Sequence, residues 1–470
     1  MKPRRAHLLL AVAIVALGGG VRLCAMQAGF PHRPVGDEVY YVRVADHIAA
    51  GGGHGRNGVP IALRPPLHPY LLSGFVDREH SPVARGPRGG TAIVPERLRP
   101  LLALQVGLGT LLVALAIALA RGLFDMRTAL VAGAVSALYP TLVAFSHYLW
   151  SETLFAVLVS GGLAGVVWSE RRQSLALAGL SGVAFGAAAL TREIAVPVAA
   201  VCALWWVCNA LPGRRRAAVA RGALMALCAA LVVLPWTVRN YRVFGQLVPV
   251  ATVGWWAAAE GNTFETSGWR QFGGPARREF IRRYSAAGDE IASMEFARRY
   301  TLEQVRTEQP SWVFKKLVRN LPRLFSPDSY LFEKIRRGAY GDLPLAGVRG
   351  AVVLTAAIYT LVVVAGVLGV ASASGGGRRL LPCLVFAVVA AFHVAANART
   401  RYRLPYMPLL IVYASYAALR WRTLSARLAG RKWIAPALIL LFFLAVCVPH
   451  FVETTIPLWL RGSSAGVYRP

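Results

Sequence analysis

Long apolar runs, parted by short polar breaks, leave few folds open to this chain. They fall at about residues 7–26, 98–120, 128–146, 152–168, 174–191, 195–211, 218–237, 348–370, 379–397, 402–419 and 434–452. A run of about 20 residues crosses a hydrocarbon core of roughly 30 Å as a helix. In lipid each backbone polar group has to be satisfied within its own segment, which makes such runs helical. The chain has 470 residues and is 56% hydrophobic, above the roughly 45–50% of soluble domains. The expected fold is therefore all-α and polytopic, with about eleven transmembrane helices. Some runs are short and rich in Ala and Gly, so split or missed helices leave room for up to thirteen. The first run follows Met1-Lys2-Pro3-Arg4-Arg5 and lacks a small-x-small cleavage site. It reads as an uncleaved first helix rather than a signal peptide.

There are 52 basic and 22 acidic residues, a formal net charge of +30. The charge is spread between the runs, so the expected partner is anionic lipid and not nucleic acid. With the N-terminus in the cytoplasm, the short inner loops hold Arg121 and Arg127, Arg171 and Arg172, Arg214, Arg215, Arg216 and Arg221, and Arg378 and Arg379. The last inner loop adds Arg420, Arg422, Arg427, Arg431 and Lys432. This is the positive-inside pattern. It makes the chain one membrane domain, 1–470, with two long outer insertions at 27–97 and 239–347. The membrane is then a bacterial-type inner membrane with the active face outside. Four Arg break the pattern: Arg192, and Arg399, Arg401 and Arg403 in one turn. They read either as side chains snorkelling to headgroups or as guanidinium forks for a phosphate. The six Cys lie in or beside apolar runs without a CxxC pair, which points to neither zinc nor a disulfide framework.

In the first outer loop, Gly36-Asp37-Glu38 is followed by Tyr41, Val44, Ala45 and Ile48 at i, i+3, i+4 and i+7, and Gly51-Gly52-Gly53 ends the pattern. This predicts a short amphipathic interfacial helix. Acids in its first turn also suit the helix dipole. After Arg64-Pro65-Pro66, apolar residues from Leu67 predict a second interfacial or re-entrant piece. In the second outer loop, 275–309 reads as a charged helical stretch, and Pro310-Ser311-Trp312 opens an amphipathic one with Lys315, Lys316 and Arg319. Under this topology the outer helix ends bring together Asp37, Glu38, His147, Tyr148, Trp150, Ser151, Glu152, Arg192, Glu193, Arg239, Asn240, His393, Asn397 and the three-Arg turn. Ionisable groups near membrane depth are costly and usually functional.

Several short motifs resemble one family. They are Gly36-Asp37-Glu38 with Tyr40-Tyr41, Arg64-Pro65-Pro66-Leu67, Ser151-Glu152-Thr153-Leu154-Phe155, Thr191-Arg192-Glu193, Arg239-Asn240-Tyr241 with Phe244-Gly245 and Val248-Pro249-Val250, and Arg401-Tyr402-Arg403-Leu404-Pro405. In order and sidedness they are similar to the lipid-linked-sugar-dependent glycosyltransferases with the C-type membrane fold, in particular the protein O-mannosyltransferase and lipid A aminoarabinose transferase group. The resemblance implies a polyprenyl-phosphate sugar donor and an acceptor that is a protein, glycolipid or cell-envelope glycan. It implies Asp37 as the base and matches Glu38 to the family's second acid; Glu38 or Glu152 is expected to assist. It implies donor-phosphate binding by Arg192, Arg401 and Arg403, with Arg399 and Arg64 beside them. Arg64 stands where family members often have Lys. Tyr40, Tyr41, His147, Arg239 and Asn240 complete the expected substrate-binding set.

No cofactor is required by this scheme, because an Arg cluster can stabilise a leaving phosphate. Asp37, Glu152 and His147 are the residues that could hold a divalent metal, although no HExxH or DxD spacing supports one. The rival function is a transporter or lipid flippase. It would need its ionisable groups near the bilayer midplane on broken helices. The spans are nearly free of charge apart from Arg22.

Overall fold

The computed structural model describes residues 3–85, 91–263, 274–341, 343–424 and 433–461. Arg427, Arg431 and Lys432, expected in the last inner loop, lie outside the described residues. The chain opens with α1 (Pro3–Ala28). The first long loop follows with α2 (Asp37–Ala49), a hairpin of β1 (Gly55–Arg56) and β2 (Val59–Pro60), α3 (Leu67–Ser73), and a hairpin of β3 (Val83–Arg85) and β4 (Thr91–Ile93). Both hairpins are antiparallel. Next come α4 (Arg99–Leu123), α5 (Met126–Leu138), α6 (Pro140–Phe145), α7 (Glu152–Arg172), α8 (Leu175–Ala189), α9 (Ala195–Asn209) and α10 (Arg215–Phe244). The second long loop folds into α11 (Val253–Asn262), α12 (Pro275–Ala286), α13 (Glu290–Thr307), α14 (Trp312–Phe325) and α15 (Tyr330–Arg336). It is followed by α16 (Leu345–Ser372), α17 (Gly376–Ala395), a 3-10 turn at Thr400–Tyr406 and α18 (Met407–Leu419). Last come α19 (Ile434–Phe442) and α20 (Val448–Arg461), joined by a π turn at Phe443–Cys447.

Among the described residues, seven helices are long and apolar enough to cross a membrane, and three shorter apolar helices, α5, α8 and α9, accompany them. The chain is a multi-pass membrane protein. The apolar core fills the space between α4, α5, α7, α8, α9 and α18, around fully buried Phe155, Phe185, Trp206 and Tyr413.

Two expected runs differ in detail. The run at 128–146 is broken between α5 and α6, because Pro140 has no N–H to continue the ladder. The break frees carbonyls in an apolar setting, and Arg22 satisfies them. Its guanidinium, fully buried, donates to Ser136 O (3.0 Å), Ala137 O (2.9 Å) and Ser146 Oγ (3.0 Å). The Arg22 guanidinium is therefore a helix-end cap. The run at 402–419 begins as the 3-10 turn, and α18 starts only at Met407.

At one end of the bundle Arg221 of α10 pairs with Glu170 of α7 at 2.7 Å, and Arg420, just after α18, pairs with Asp125, just before α5, at 2.6 Å. At the opposite end of the bundle, Leu67 N donates to Leu190 O at the end of α8, and Lys316 and Asn320 of α14 donate to Ala396 O and Val394 O at the end of α17. The two long loops cover that end.

Candidate active site

Gly36 turns the chain into α2 with φ 63° and ψ −123°, a conformation that suits glycine. The turn places Asp37 and Glu38 in the first helical turn, about 100° apart around the axis, and their surroundings diverge at once. Asp37 Oδ1 accepts from Arg64 at 2.9 Å and Oδ2 accepts from Arg401 at 3.0 Å. Arg64 reaches it from just before Pro65-Pro66, with its guanidinium 5.3 Å from the Tyr40 ring and 5.9 Å from Tyr41. Arg401 reaches it from the 3-10 turn. Its guanidinium lies among Trp150 (5.2 Å), Tyr330 (5.2 Å) and Tyr402 (5.4 Å).

Glu152, the first residue of α7, is buried behind this pair. It approaches Arg192 at 2.5 Å and Arg401 Nε at 3.4 Å. Neither Glu152 oxygen is aligned for a hydrogen bond, although both contacts are close enough for ion pairs. Arg192 comes from the α8–α9 turn, with Tyr402 5.5 Å away, and also reaches Ser151 Oγ at 3.4 Å. Arg64, Asp37, Arg401, Glu152 and Arg192 thus form one chain of alternating charge with one cation in excess.

Burial by itself would raise the Asp37 carboxyl. Arg401 and Arg64 outweigh it and hold the group well below the usual carboxylate range. Around this core several buried polar atoms make no hydrogen bond among the described residues: Tyr40 Oη, Arg64 Nε, Trp150 Nε1, both oxygens of Glu152, Arg192 Nε, Arg401 Nε and Tyr406 Oη. Unsatisfied buried groups are rare in folded proteins and call for an explanation. Here they converge on one place, as the lining of a site for a polar ligand does.

The other expected site residues have partners of their own. Glu38 is fully buried and bound by His32, Lys334 and two backbone amides. The nearby Lys334 and His32 bring its carboxyl down to about 2 against the cost of burial. Arg403 turns away from Asp37 and donates to three backbone carbonyls: Leu324 (2.6 Å), Ser326 (2.6 Å) and Asp328 (2.7 Å). Arg399 joins Arg277 and Asn397 on the buried Glu260 carboxylate. Arg239 donates to the carbonyls of His54 and Ile61, and Asn240 to those of Val248 and Val250. His147 hydrogen-bonds Tyr340 Oη at 3.0 Å, and burial lowers its ring to about 4. Tyr41 donates to Ser151 Oγ at 3.3 Å. Tyr330 and Lys334, both near Arg401 or Glu38, escaped the sequence reading, because nothing in 327–340 marks them out. No group of three or more His, Cys, Asp or Glu that could hold a metal is found among the described residues.

No protein-family model matches the chain, and no curated protein matches it. Solved structures do. The oligosaccharyltransferase of Archaeoglobus fulgidus, in a complex with Zn and sulfate, superposes with a TM-score of 0.50 at 16% identity, over 97% of this chain and 53% of that one. The same organism's oligosaccharyltransferase AglB, in complex with an inhibitory peptide and a dolichol-phosphate, gives 0.50 at 15% identity over 98% and 56%. The apo form gives 0.51 at 14% identity over 94% and 55%. The ArnT of Cupriavidus metallidurans bound to undecaprenyl phosphate gives 0.48 at 15% identity over 96% and 65%. The chain spans about half the length of the archaeal structures it matches. Its fold is the C-type membrane glycosyltransferase fold.

Proposed function

We propose that this chain is an integral-membrane glycosyltransferase. It moves a sugar from a polyprenyl-phosphate donor to a hydroxyl or amine on a protein, glycolipid or cell-envelope glycan. It works on the outer face of a bacterial-type inner membrane, with its N-terminus in the cytoplasm. The observation that carries this reading is the Asp37 carboxylate held between the Arg64 and Arg401 forks at 2.9 and 3.0 Å.

The excess cation of the cluster matches the single negative charge of a sugar phosphodiester. Arg64, Arg192 and Arg401 each keep an Nε that makes no hydrogen bond, and Arg forks suit phosphate oxygens. With the donor absent, the two Arg make Asp37 too weak a base for a hydroxyl. A phosphate that takes over those forks removes the cause, so the carboxylate gains basicity only when the donor is in place. The acceptor oxygen then attacks the anomeric carbon and its proton passes to Asp37. The bond from that carbon to the phosphate oxygen breaks, and the phosphate leaves with the electron pair among the guanidinium groups. One displacement through an oxocarbenium-like transition state inverts the anomeric centre, as in glycoside hydrolysis. In this scheme Glu152 holds Arg192 and Arg401 at their spacing. The Arg cluster supplies the positive charge that the leaving phosphate needs.

A polyprenyl tail needs an apolar berth. A cavity of about 660 Å³, lined by Leu321 and Phe325 of α14, Val363 of α16, Phe386 of α17, Leu410 of α18 and Ile439 of α19, supports this part of the reading. Arg403 and Met407 line it too, and both also line a small cavity that reaches Arg401. The fold is shared with a protein solved with dolichol-phosphate bound, which is ligand chemistry of the same kind. A transporter would need available charge along its spans. Arg22 is fully occupied by carbonyls and Ser146, which leaves that reading without support.

The test is sugar release from a panel of labelled polyprenyl-phosphate sugars, in membranes carrying the wild type or Asp37→Asn. Turnover of one donor, lost in the variant, is expected. Equal release by both proteins would remove Asp37 from the chemistry and the reading with it.

A further inference from the structure

We infer that Lys334 is a positioning residue: through Glu38 and the aromatic platform under Arg401, it fixes the geometry of Asp37 relative to Arg401. This rests on the donor reading above and adds a residue to it.

Glu38 is the residue after Asp37. Its Oε1 accepts from His32 Nε2 and Leu149 N, each at 2.9 Å, and its Oε2 accepts from Val35 N at 2.9 Å and from Lys334 Nζ. Four donors fill the lone-pair positions of a carboxylate, so Glu38 is left with no oxygen to take an acceptor's proton. It joins three stretches instead: the approach to α2, the α6–α7 connection, and α15 of the second long loop, 296 residues away.

Lys334 is fully buried and lines neither the apolar cavity nor the small one beside Arg401. Its ammonium lies 4.6 Å from the ring centres of both Tyr148 and Trp150. One turn earlier on the same face of α15, at the i−4 position, Tyr330 packs edge-on against Trp150 at 4.6 Å. Trp150 and Tyr330 each lie 5.2 Å from the Arg401 guanidinium. The contacts close a ring. Asp37 is bonded to Glu38, Glu38 pairs with Lys334, α15 carries Lys334 and Tyr330, both pack on Trp150, Trp150 and Tyr330 flank Arg401, and Arg401 pairs with Asp37. A closed ring holds the base and a phosphate ligand at one spacing. A misplacement of about 1 Å can cost roughly 100-fold in rate.

The experiment uses the full chain in lipid nanodiscs, with a turned-over polyprenyl-phosphate sugar as substrate and sugar-free polyprenyl phosphate as binding probe. Lys334→Met should lower kcat by roughly 10- to 100-fold while still binding one polyprenyl phosphate per chain, which separates misalignment from loss of folded protein. Added to Asp37→Asn it should cost nothing more, because both act through the same carboxylate. Lys334→Met with Glu38→Gln should be no slower than Lys334→Met alone. Hydrogen exchange gives a readout that needs no turnover: amides at the start of α2 should exchange faster in Lys334→Met than in wild type. Unchanged exchange there, or a loss that multiplies with that of Asp37→Asn, overturns the positioning role. A wild type that neither releases sugar nor binds polyprenyl phosphate overturns the donor reading instead, and exchange then decides the role of Lys334 by itself.

Discussion

Asp37 and Arg401 stand 364 residues apart in the chain and meet at 3.0 Å at one end of the helix bundle. The pair joins the first long loop to the turn before α18. Because Arg64 holds the other carboxylate oxygen, each Asp37 oxygen is bonded to a different cation. Asp37→Asn keeps the size and removes the charge. Sugar transfer should fall by at least about 100-fold, the scale of a lost general base, while sugar-free polyprenyl phosphate binds no more weakly, since a competitor for the Arg forks has gone. Paired turnover and binding assays on the purified protein check both halves. Weaker binding in Asp37→Asn would mean that the carboxylate supports the phosphate site rather than competing for it.

Arg401 and Arg403 should separate cleanly. Arg401→Ala removes a fork from the site and should weaken donor binding by about 10- to 100-fold, the worth of a charge-assisted hydrogen bond of about 1.5–3 kcal/mol. Arg403→Ala instead strips the carbonyls of Leu324, Ser326 and Asp328 of their donor. Each buried group left unsatisfied costs about 1–3 kcal/mol, so thermal stability should drop more in Arg403→Ala than in Arg401→Ala. Donor titration and a detergent melting curve for each variant suffice. Equal donor affinities would place neither Arg on the phosphate.

Glu38 gives a pH signature. Burial would raise its carboxyl, but Lys334 and His32 bring it down to about 2 from an ordinary 4.5. The unfolded chain therefore takes up the proton first on acidification. Its contribution is fully present above about pH 4.5 and is lost as the pH falls towards 2. Glu38→Gln should lose stability at neutral pH by about 3–5 kcal/mol, the usual cost of leaving one partner of a buried ion pair alone. It should also flatten the decline between pH 4.5 and 2. Adding Lys334→Met to Glu38→Gln should recover part of the loss. A wild type and Glu38→Gln with parallel melting temperatures across that window would contradict the pairing.

Much of this arrangement was legible in the sequence, for identifiable reasons. Apolar runs report spans directly, and seven of those read are helices long enough to cross a membrane. Asp37, Glu152, Arg192 and Arg401 stood out because each is an ionisable residue at the end of an apolar run, where burying charge is costly, and Arg64 because it precedes Pro65-Pro66 in a family-like motif. Direction was less legible. Arg401 and Arg403 share one motif, but a 3-10 turn rotates about 120° per residue, so side chains two apart leave in different directions. Glu38 was read with Asp37 as an acid of the site, although one helical step sends it to Lys334. Lys334 and Tyr330 carried no sequence signal, because their partners lie nearly 300 and about 70 residues away. Neither separation has a periodicity to betray it. The break at Tyr139-Pro140 was read as unbroken span, since a proline within a transmembrane run is tolerated when a neighbour satisfies the freed groups.

That neighbour, Arg22, supports the last prediction. Its guanidinium passes beside Gly109 on α4. A Cβ there would lie 2.1 Å from Ser146 Oγ and 2.8 Å from Arg22 Nε. Gly109→Ala has to displace the Arg22–Ser146 bond or push α4 away from α1, whereas Gly107→Ala meets nothing within 4 Å. The first should destabilise the folded protein by about 1–3 kcal/mol, the cost of overpacking or of an unmade buried hydrogen bond, and the second should be near neutral. Ser146→Ala in the Gly109→Ala background relieves the closest clash and should return part of the stability. Because α6 leads directly into His147 and Trp150, the strain in Gly109→Ala should also lower donor turnover. Melting curves for the three variants beside their turnover decide the matter. Equal stability of Gly109→Ala and Gly107→Ala would show that α1 and α4 do not pack as closely as their contact through Arg22 requires.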